Sequence, residues 1–176
     1  MERSEISVDE FCIRSYQLIE KQWLLLTSGD FHEGKYNAMT IGWGSIGSMW
    51  SRPFVQVVVR PTRYTYEFMN IYPTFTVTAF PNQYRKALAL LGSKSGRDGD
   101  KITEAALTPI ASKQVAAPGY AEANLIIECE KTYWDDMKPE NFLNKDIFQK
   151  YPENDYHRIY FGEIKNITGD ASLYAA

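Results

Sequence analysis

Apolar and polar residues follow strand patterns over much of the chain. Residues 23–27 and 54–60 are short runs of aliphatic and β-branched side chains, which are typical of buried strands. Residues 74–80 alternate between polar and apolar side chains, as expected for a strand with one buried face. About six strands are predicted, at residues 23–27, 38–47, 54–60, 74–80, 124–133 and 156–167.

Helical patterns lie in the N-terminal part and in the middle of the chain. Residues 83–91 show the clearest one, because their apolar side chains recur on one face, and Gly92 is a typical C-terminal stop. Residues 65–72 form another predicted helix, with Thr62 or Thr65 as its cap. Further helices are predicted at residues 8–20 and 100–107, and a turn at residues 28–30.

The order of these elements favours an antiparallel sheet. Strands cluster toward both ends of the chain with helices inserted between them, whereas a parallel sheet needs regular alternation of strands and helices. No GxGxxG motif leads from a strand into a helix, so a Rossmann nucleotide site is unsupported. Residues 1–176 are therefore predicted to form a single domain, mainly β with added helices, whose sheet closes into a barrel.

Composition and charge narrow the function classes. Hydrophobic residues make up 44% of the chain, which is enough apolar material for a sizeable core. With 19 Lys or Arg against 22 Asp or Glu, the net charge of −3 argues against nucleic acids and anionic membranes as partners. No apolar stretch is long enough to span a membrane and the first ten residues do not resemble a signal peptide, so a cytoplasmic location is expected.

Cysteines and histidines offer little chemistry in this sequence. Cys12 and Cys129 lack CxxC spacing, and both are expected to be buried, inert thiols. Two histidines are too few for a multi-histidine site, so no metal is predicted. For His157 a structural or surface role is favoured over a role beside a ligand.

The most unusual window runs from Asn37 to Ser51. It combines small residues with hydrogen-bonding groups on Asn37 and Thr40 and with the planar rings of Trp43 and Trp50. Small residues let a planar ligand approach the backbone, and the mixture suits the isoalloxazine ring of a flavin. The alternative is that the Trp rings fill the core and the glycines form bulges.

Two other windows carry groups that bind anions. Arg60 and Arg63 lie where a strand ends and a helix is predicted to begin, so guanidinium groups and free helix N–H groups could hold a phosphate. The alternative is a capped helix with solvated Arg side chains. Residues 93–101 form a polar loop that contains Lys101, although such loops are usually exposed connectors and this one lacks the residue order of a P-loop.

Together these windows resemble the flavin reductase-like family, and within it the flavoredoxin type of FMN-binding split-barrel proteins. The resemblance covers most of the chain, and several motifs in the same order are more specific than any one of them. The matching stretches are residues 23–27, Asn37-Ala38-Met39-Thr40 with Trp43 and Gly44, Trp50 with Pro53, residues 59–68, residues 93–101, and Tyr156-His157-Arg158 with residues 162–164.

The resemblance implies a six-stranded antiparallel split β-barrel that forms a homodimer, with FMN held non-covalently at the subunit interface. By position, Asn37, Met39, Thr40 and Trp43 would line the flavin, with Ala38 between them. Arg63, Tyr64 and Thr65 would hold the ribityl phosphate end, and Lys101 would reach the cofactor from its loop. Further cofactor-binding candidates are Trp50, Ser51, Arg60, Ser95 and Arg97.

Membership of this family would make the protein an FMN-dependent oxidoreductase. In the family, FMN accepts a hydride from NADH or NADPH and passes electrons to free flavin, ferric complexes or a redox partner. FMN performs this chemistry itself, so no catalytic triad is required. The predicted function is an NAD(P)H-dependent flavin reductase or a flavoredoxin-like electron carrier. The alternatives are a non-catalytic module that binds flavin or haem, and a structural dimer with an empty groove.

Overall fold

The computed structural model describes residues 2–176, in which ten strands and four α-helices are assigned. The strands are β1 (Ser4–Glu5), β2 (Leu24–Asp30), β3 (Lys35–Ile41), β4 (Gly44–Met49), β5 (Arg52–Val59), β6 (Thr74–Ala79), β7 (Pro109–Ile110), β8 (Gly119–Tyr120), β9 (Leu125–Asp136) and β10 (Arg158–Gly169). The α-helices are α1 (Tyr64–Ile71), α2 (Arg85–Ser93), α3 (Lys101–Glu104) and α4 (Ala171–Tyr174), and a π-helix spans Gln17–Gln22. Short 3-10 helices lie at Asn82–Tyr84, Gly96–Asp98, Pro139–Asn141 and Lys145–Lys150.

One antiparallel sheet dominates the architecture. Its strands are hydrogen-bonded in the order β3-β2-β6-β9-β10-β5-β4, with β1 added beside β10, while β7 and β8 form a separate pair. The two end strands of this order, β3 and β4, follow each other in the chain and are joined only by Gly42 and Trp43. The sheet must therefore curl until its two ends approach each other. The predicted fold class, mainly β with an antiparallel barrel and added helices, is confirmed.

Two hydrophobic clusters bury the two faces of the curled sheet. Leu24, Leu26 and Val57 belong to a cluster with contributions from most strands of the sheet, which places it inside the barrel. Leu25 and Leu88 belong to a second cluster, in which the outer face of β2 and β3 packs beneath α2 and α3. Because successive side chains of a strand point to opposite faces, burial on both faces explains the unbroken apolar run in β2.

The strand predictions need two corrections. The turn predicted at residues 28–30 is wrong, because β2 stays paired with β3 through Asp30 and the turn follows at residues 31–34. Gly29 makes this pairing possible: a Cβ atom there would lie 2.4 Å from Tyr36 Cα, and its φ of 134° favours glycine. The single strand predicted at residues 38–47 is in fact two strands, β3, which pairs with β2, and β4, which pairs with β5. The order of the large sheet therefore contains seven strands, where about six were predicted.

The helix predictions need more correction. In the segment predicted as a helix at residues 8–20, Phe11 pairs with Ala175 instead, and the π-helix begins only at Gln17. Gly92 does not stop α2, which continues to Ser93; a Cβ at Gly92 would lie only 3.2 Å from Thr40 Cβ, so glycine allows β3 to approach. The helix predicted at residues 100–107 is confined to Lys101–Glu104.

The two cysteines have different environments. Cys129 is fully buried inside the barrel, as predicted, and burial raises the pKa of its thiol. Cys12 is exposed, so the prediction of a buried thiol is wrong there; its backbone N–H donates to Tyr174 O at 2.9 Å at the chain's surface.

Within residues 2–176 no helix is long and apolar enough to cross a membrane. No group of three or more potential metal ligands is found in that same part of the chain.

Candidate functional site

Asn37 and Thr65 meet where β3 approaches the first turn of α1. Asn37 Nδ2 donates to Thr65 Oγ1 at 2.7 Å, and the Thr65 side chain is 1% exposed. No donor among residues 2–176 reaches Asn37 Oδ1, while a Cβ at Gly96 would lie 2.2 Å from this oxygen. Thr65 therefore orients Asn37, and the absence of a side chain at Gly96 leaves room beside the Asn37 amide.

A cavity of about 550 Å³ opens beside this pair, between β3, α1 and the loop that leads into α3. Its wall includes Tyr36, Asn37, Tyr64, Gly96 and Lys101. The volume lies in the range of small-molecule sites. Three of the predicted cofactor-binding residues, Asn37, Tyr64 and Lys101, are thus brought together from three separate parts of the sequence.

Lys101 is a buried cation without a carboxylate partner. Only 4% of the residue is exposed, and its Nζ donates to Leu91 O and Lys94 O, each at 2.9 Å. Burial and, to a smaller extent, the positive charge of Arg63 lower the pKa of Lys101 to about 8. An anion in the cavity would stabilise the charged form of this group.

A second, smaller cavity of about 190 Å³ has Arg63 in its wall. Met39, Thr40, Trp43 and Arg60 line it together with His157. Thr40 Oγ1 donates to Leu88 O at 2.6 Å, which fixes β3 against α2. The Trp43 ring is partly exposed and its centroid lies 5.2 Å from that of His157. This cavity thus gathers predicted flavin-lining residues with one wall made by an aromatic ring.

Arg63 lines the smaller cavity next to an uncapped helix end, and its neighbour Tyr64 lines the larger cavity. Arg63 is the N-cap residue of α1, and no side chain caps this N-terminus, so the prediction that Thr62 or Thr65 would do so is wrong. Arg63 Nη2 donates to Gly92 O at 2.8 Å, and its charge lowers the pKa of both Lys101 and His157. The first turn of α1 has free N–H groups, and Arg63 and Lys101 supply positive charge for the same ligand. This combination is suited to an anion.

His157 is buried in the wall of the smaller cavity. A hydrogen bond of 2.8 Å joins its Nδ1 to the hydroxyl of Tyr151. Burial lowers the pKa of His157 to about 4, and Arg60 acts in the same direction. The imidazole is therefore neutral at pH 7. Tyr151 was not among the predicted site residues, because it lies in a segment without strand or helix periodicity.

Arg60 is held by that same segment. Its Nη1 forms an ion pair with Asp155 Oδ1 at 2.6 Å, and its Nη2 donates to Lys150 O at 2.6 Å. The guanidinium also lies 4.9 Å from the centroid of the Tyr151 ring. With its charge neutralised by Asp155, Arg60 is a less available anion ligand than Arg63.

Several predicted residues lie outside both cavities. Ala38 is buried in the cluster beneath α2. Trp50 and Ser51 form the two-residue turn between β4 and β5, with φ of 56° and 57°, and the Trp50 ring packs against Tyr133 and Phe161. Further along the chain, two candidates lie in the 3-10 turn before α3, where Ser95 Oγ accepts from Arg97 N and the Arg97 guanidinium pairs with Glu67.

Comparison with known proteins identifies related domains. Residues 17–174 match the family model described as flavin reductase like domain. The structure is similar to an FMN-binding domain of a flavin reductases-like enzyme from Shewanella baltica, with a TM-score of 0.69, 14% identity, and coverage of 97% of this chain and 78% of that one. It is similar to flavoredoxin of Desulfovibrio vulgaris, with a TM-score of 0.66, 20% identity, and coverage of 96% and 78% respectively.

A third similar structure is nitrilotriacetate monooxygenase component B from Bacillus cereus. Its TM-score is 0.68 at 17% identity, with coverage of 96% of this chain and 82% of that one. No curated protein matches the sequence. At such identities the structural likeness establishes the split-barrel fold alone.

Proposed function

The chain belongs to the flavin reductase like domain family, and on this premise we propose that it is a cytoplasmic, homodimeric flavoprotein that binds FMN non-covalently. We further propose that it works as an NAD(P)H-dependent flavin reductase or as a flavoredoxin-like electron-transfer protein. The observation that carries the proposal is a pair of cavities, one lined by Arg63 and the other by its neighbour Tyr64, with cationic, amide and aromatic groups in their walls.

The residues present fit FMN in charge and in shape. Arg63, Lys101 and the uncapped N-terminus of α1 supply positive charge for the phosphate. Asn37 has a free amide oxygen for a hydrogen bond, and Thr65 keeps that amide in place. Met39, Thr40 and Trp43 offer an apolar and aromatic wall for the flavin ring. The structure thus supports a binding role for most of the residues that the resemblance selects.

FMN when bound would supply the hydride and electron chemistry, so the protein needs to provide orientation, access and charge. The imidazole of His157 lies beside the Trp43 ring. Because it is neutral at pH 7, it adds no positive charge there. Similar folds include an NADH:FAD oxidoreductase of Streptomyces globisporus, at a TM-score of 0.63 and 18% identity, which is consistent with a nicotinamide nucleotide as donor here. The electron acceptor is left open by the proposal.

The homodimer is supported by an exposed aromatic surface formed by Trp50, Phe54, Tyr133 and Phe161. Trp50 is 59% exposed, and the ring centroids of the neighbouring pairs in this surface lie 5.3 to 6.1 Å apart. Large exposed aromatic patches of this kind mark association sites. A second copy of the chain would bury it, and Trp50→Arg should then shift the sedimentation of the protein toward the monomer. Unchanged sedimentation would contradict this surface as the interface.

The decisive experiment is an absorbance spectrum of the protein after mixing with FMN and desalting, followed by anaerobic addition of NADH or NADPH. Retained flavin that bleaches with either nucleotide supports the reductase, whereas retained flavin that stays oxidised supports a non-catalytic flavin-binding module. Loss of all flavin refutes the proposal.

A matched pair of variants places the site. Arg63→Gln should release FMN, because it removes the cation that lines the smaller cavity at the N-terminus of α1. Arg52→Gln should retain FMN, because Arg52 is exposed on β5 and pairs with Glu163. Equal retention by both variants would refute the assignment of Arg63.

A further inference from the structure

A third cavity, of about 920 Å³, lies away from the two described above and shares no lining residue with them. Its wall is formed by the segment from Cys12 through the π-helix, by the start of α2, and by residues of α4. The floor is apolar: Leu18, Phe80 and Leu88 line it and are buried in the two core clusters. This volume is large enough for a small organic ligand.

The polar part of this wall carries one sign of charge. Arg14, Lys21 and Arg85 line the cavity, and no Asp or Glu does. None of these three cations forms an ion pair with any residue from 2 to 176. Concave surfaces lined by unpaired charges of one sign concentrate counter-ions. The charge of this wall therefore favours anions over cations.

Arg85 is held in place for such a role. Its Nη1 donates to Lys21 O at 2.7 Å and to Gln22 O at 2.9 Å, and its guanidinium lies 3.2 Å from the centroid of the Trp23 ring. Nη2 and Nε find no acceptor within the described residues. These two N–H groups form the side of the guanidinium that bonds to a carboxylate in a bidentate pair.

Asn124 adds a neutral donor from deeper in the wall. Only 7% of this residue is exposed, and its Oδ1 accepts from the Tyr174 hydroxyl at 3.1 Å. Its Nδ2 has no acceptor between residues 2 and 176. This N–H group is not closed off by the protein, so it is available to donate to a polar group of a ligand in the cavity.

We propose that this cavity binds an organic carboxylate with an apolar body. The carboxylate lies against Arg14, Lys21 and Arg85, and the apolar part covers Leu18, Phe80 and Leu88. Both an alkyl and an aryl acid satisfy this chemistry. The site is separate from the proposed flavin site, since α2 stands between them: Leu88 faces this cavity, while its carbonyl oxygen accepts from Thr40 in the wall of the other.

Calorimetric titration of the full-length protein tests the proposal. Octanoate and 3-phenylpropionate serve as alkyl and aryl probes, with octanol as the uncharged counterpart of octanoate. One acid site per chain is expected, with octanol at least about tenfold weaker. The tighter of the two acids identifies the alkyl or the aryl class. Failure of both acids to bind, or octanol binding as tightly as octanoate, overturns the proposal.

Charge variants test the location. Arg14→Gln/Lys21→Gln should weaken the preferred acid by at least about tenfold. Lys86→Gln/Lys145→Gln removes the same number of charges from exposed positions that do not line the cavity, and it should leave the affinity unchanged. Equal affinities in the two double variants overturn the proposal. Loss of bound FMN in Arg14→Gln/Lys21→Gln but not in its control would overturn the separation of the two sites.

Cys12 provides a readout that needs no substitution. It lines the cavity and is exposed, whereas Cys129 is fully buried, so N-ethylmaleimide should label the native protein at Cys12. A saturating concentration of the acid that binds more tightly should slow this labelling several-fold, and octanol should not. Labelling at the same rate with and without the acid would overturn the placement of the ligand in this cavity.

Discussion

Replacement of Lys101 by Met removes a buried charge while keeping a side chain of similar length. In the folded protein the ammonium group donates to Leu91 O and Lys94 O, but burial and Arg63 lower its pKa from 10.5 to about 8. That difference corresponds to a folding penalty of about 3 kcal/mol at neutral pH. The two hydrogen bonds offset this penalty by about 1 kcal/mol each. In Lys101→Met both bonds are lost, and the two carbonyl oxygens that remain unpaired add a further cost.

The two effects nearly cancel at pH 7, so Lys101→Met should change the free energy of unfolding by no more than about 1 kcal/mol there. The balance changes with pH. Between pH 8 and 10.5 the unfolded chain holds the Lys101 proton and the folded chain does not, so stability rises with pH in this interval. At pH 9.5 the penalty is smaller by about 2 kcal/mol in the native sequence, and Lys101→Met should be the less stable protein by that margin.

Urea unfolding at pH 7 and pH 9.5 measures this difference. Lys94→Met is the matched control, because it makes the same substitution at a lysine that is more exposed and pairs with Glu104. If Lys101→Met differs from the native protein by equal amounts at both pH values, the Lys101 environment has been misjudged.

The same variant tests the cofactor assignment. At pH 7 Lys101→Met should weaken FMN binding by about 1 to 3 kcal/mol if the ammonium group bonds to the cofactor. FMN affinity of the native protein should fall above pH 8, where Lys101 loses its proton, since the phosphate is already ionised. The variant should lack this fall. A fluorescence titration that gives the same affinity and pH profile for both proteins would refute a contact between Lys101 and FMN.

Three further substitutions test the barrel and its cavities. Thr65→Val leaves Asn37 Nδ2 with only a 3.5 Å contact to Ala38 O, so unfolding in urea should show a loss of about 1 to 3 kcal/mol, which Thr65→Ser should not show. Gly162→Ala would place a Cβ 2.5 Å from the Phe75 ring and should destabilise the barrel by about 1 to 3 kcal/mol or more, whereas Gly47→Ala, with its nearest neighbour at 3.4 Å, should be nearly neutral. The pKa of His157 is about 4 in the folded protein and 6.5 in the unfolded chain, so the unfolded chain binds the proton first as the pH falls. The free energy of unfolding should therefore fall by up to about 3 kcal/mol as the pH drops from 6.5 through 4. His157→Gln should flatten this part of the plot of Tm against pH, and an unchanged slope in this variant would show that another group causes the acid sensitivity.

The fold was accessible from the sequence because its strands bury both faces. Leu24, Leu25 and Leu26 are apolar without alternation since the barrel interior takes two of them and the layer beneath α2 takes the third. Strands of two residues, such as β7, carry no periodicity and were not predicted. The helix predicted over residues 8–14 is wrong because Phe11 pairs with Ala175 there. This is a tertiary contact, which leaves no local signal in the sequence.

The candidate site was only partly accessible for a related reason. The amide of Asn37 and the hydroxyl of Thr65 belong to different windows, and only the fold shows that one orients the other. The same holds for Gly96, which lies in a loop that the sequence describes only as polar but which leaves space beside Asn37. Tyr151 lies in an aromatic segment without regular structure, and no pattern in the sequence connects it to His157.

The charges around Arg63 explain why stability and ligand binding are coupled in this chain. Arg60 is neutralised by Asp155, but no carboxylate is paired with Arg63 or Lys101 within residues 2–176, and the charge of Arg63 raises the cost of keeping Lys101 charged. His157 avoids this cost by remaining neutral, whereas Lys101 retains most of its charge at pH 7. An anion bound between these cations removes the repulsion that the folded protein otherwise carries. A ligand that binds only the folded state stabilises it by an amount that grows with the logarithm of ligand concentration above Kd, and relief of the repulsion at Lys101 contributes to the affinity for an anionic cofactor.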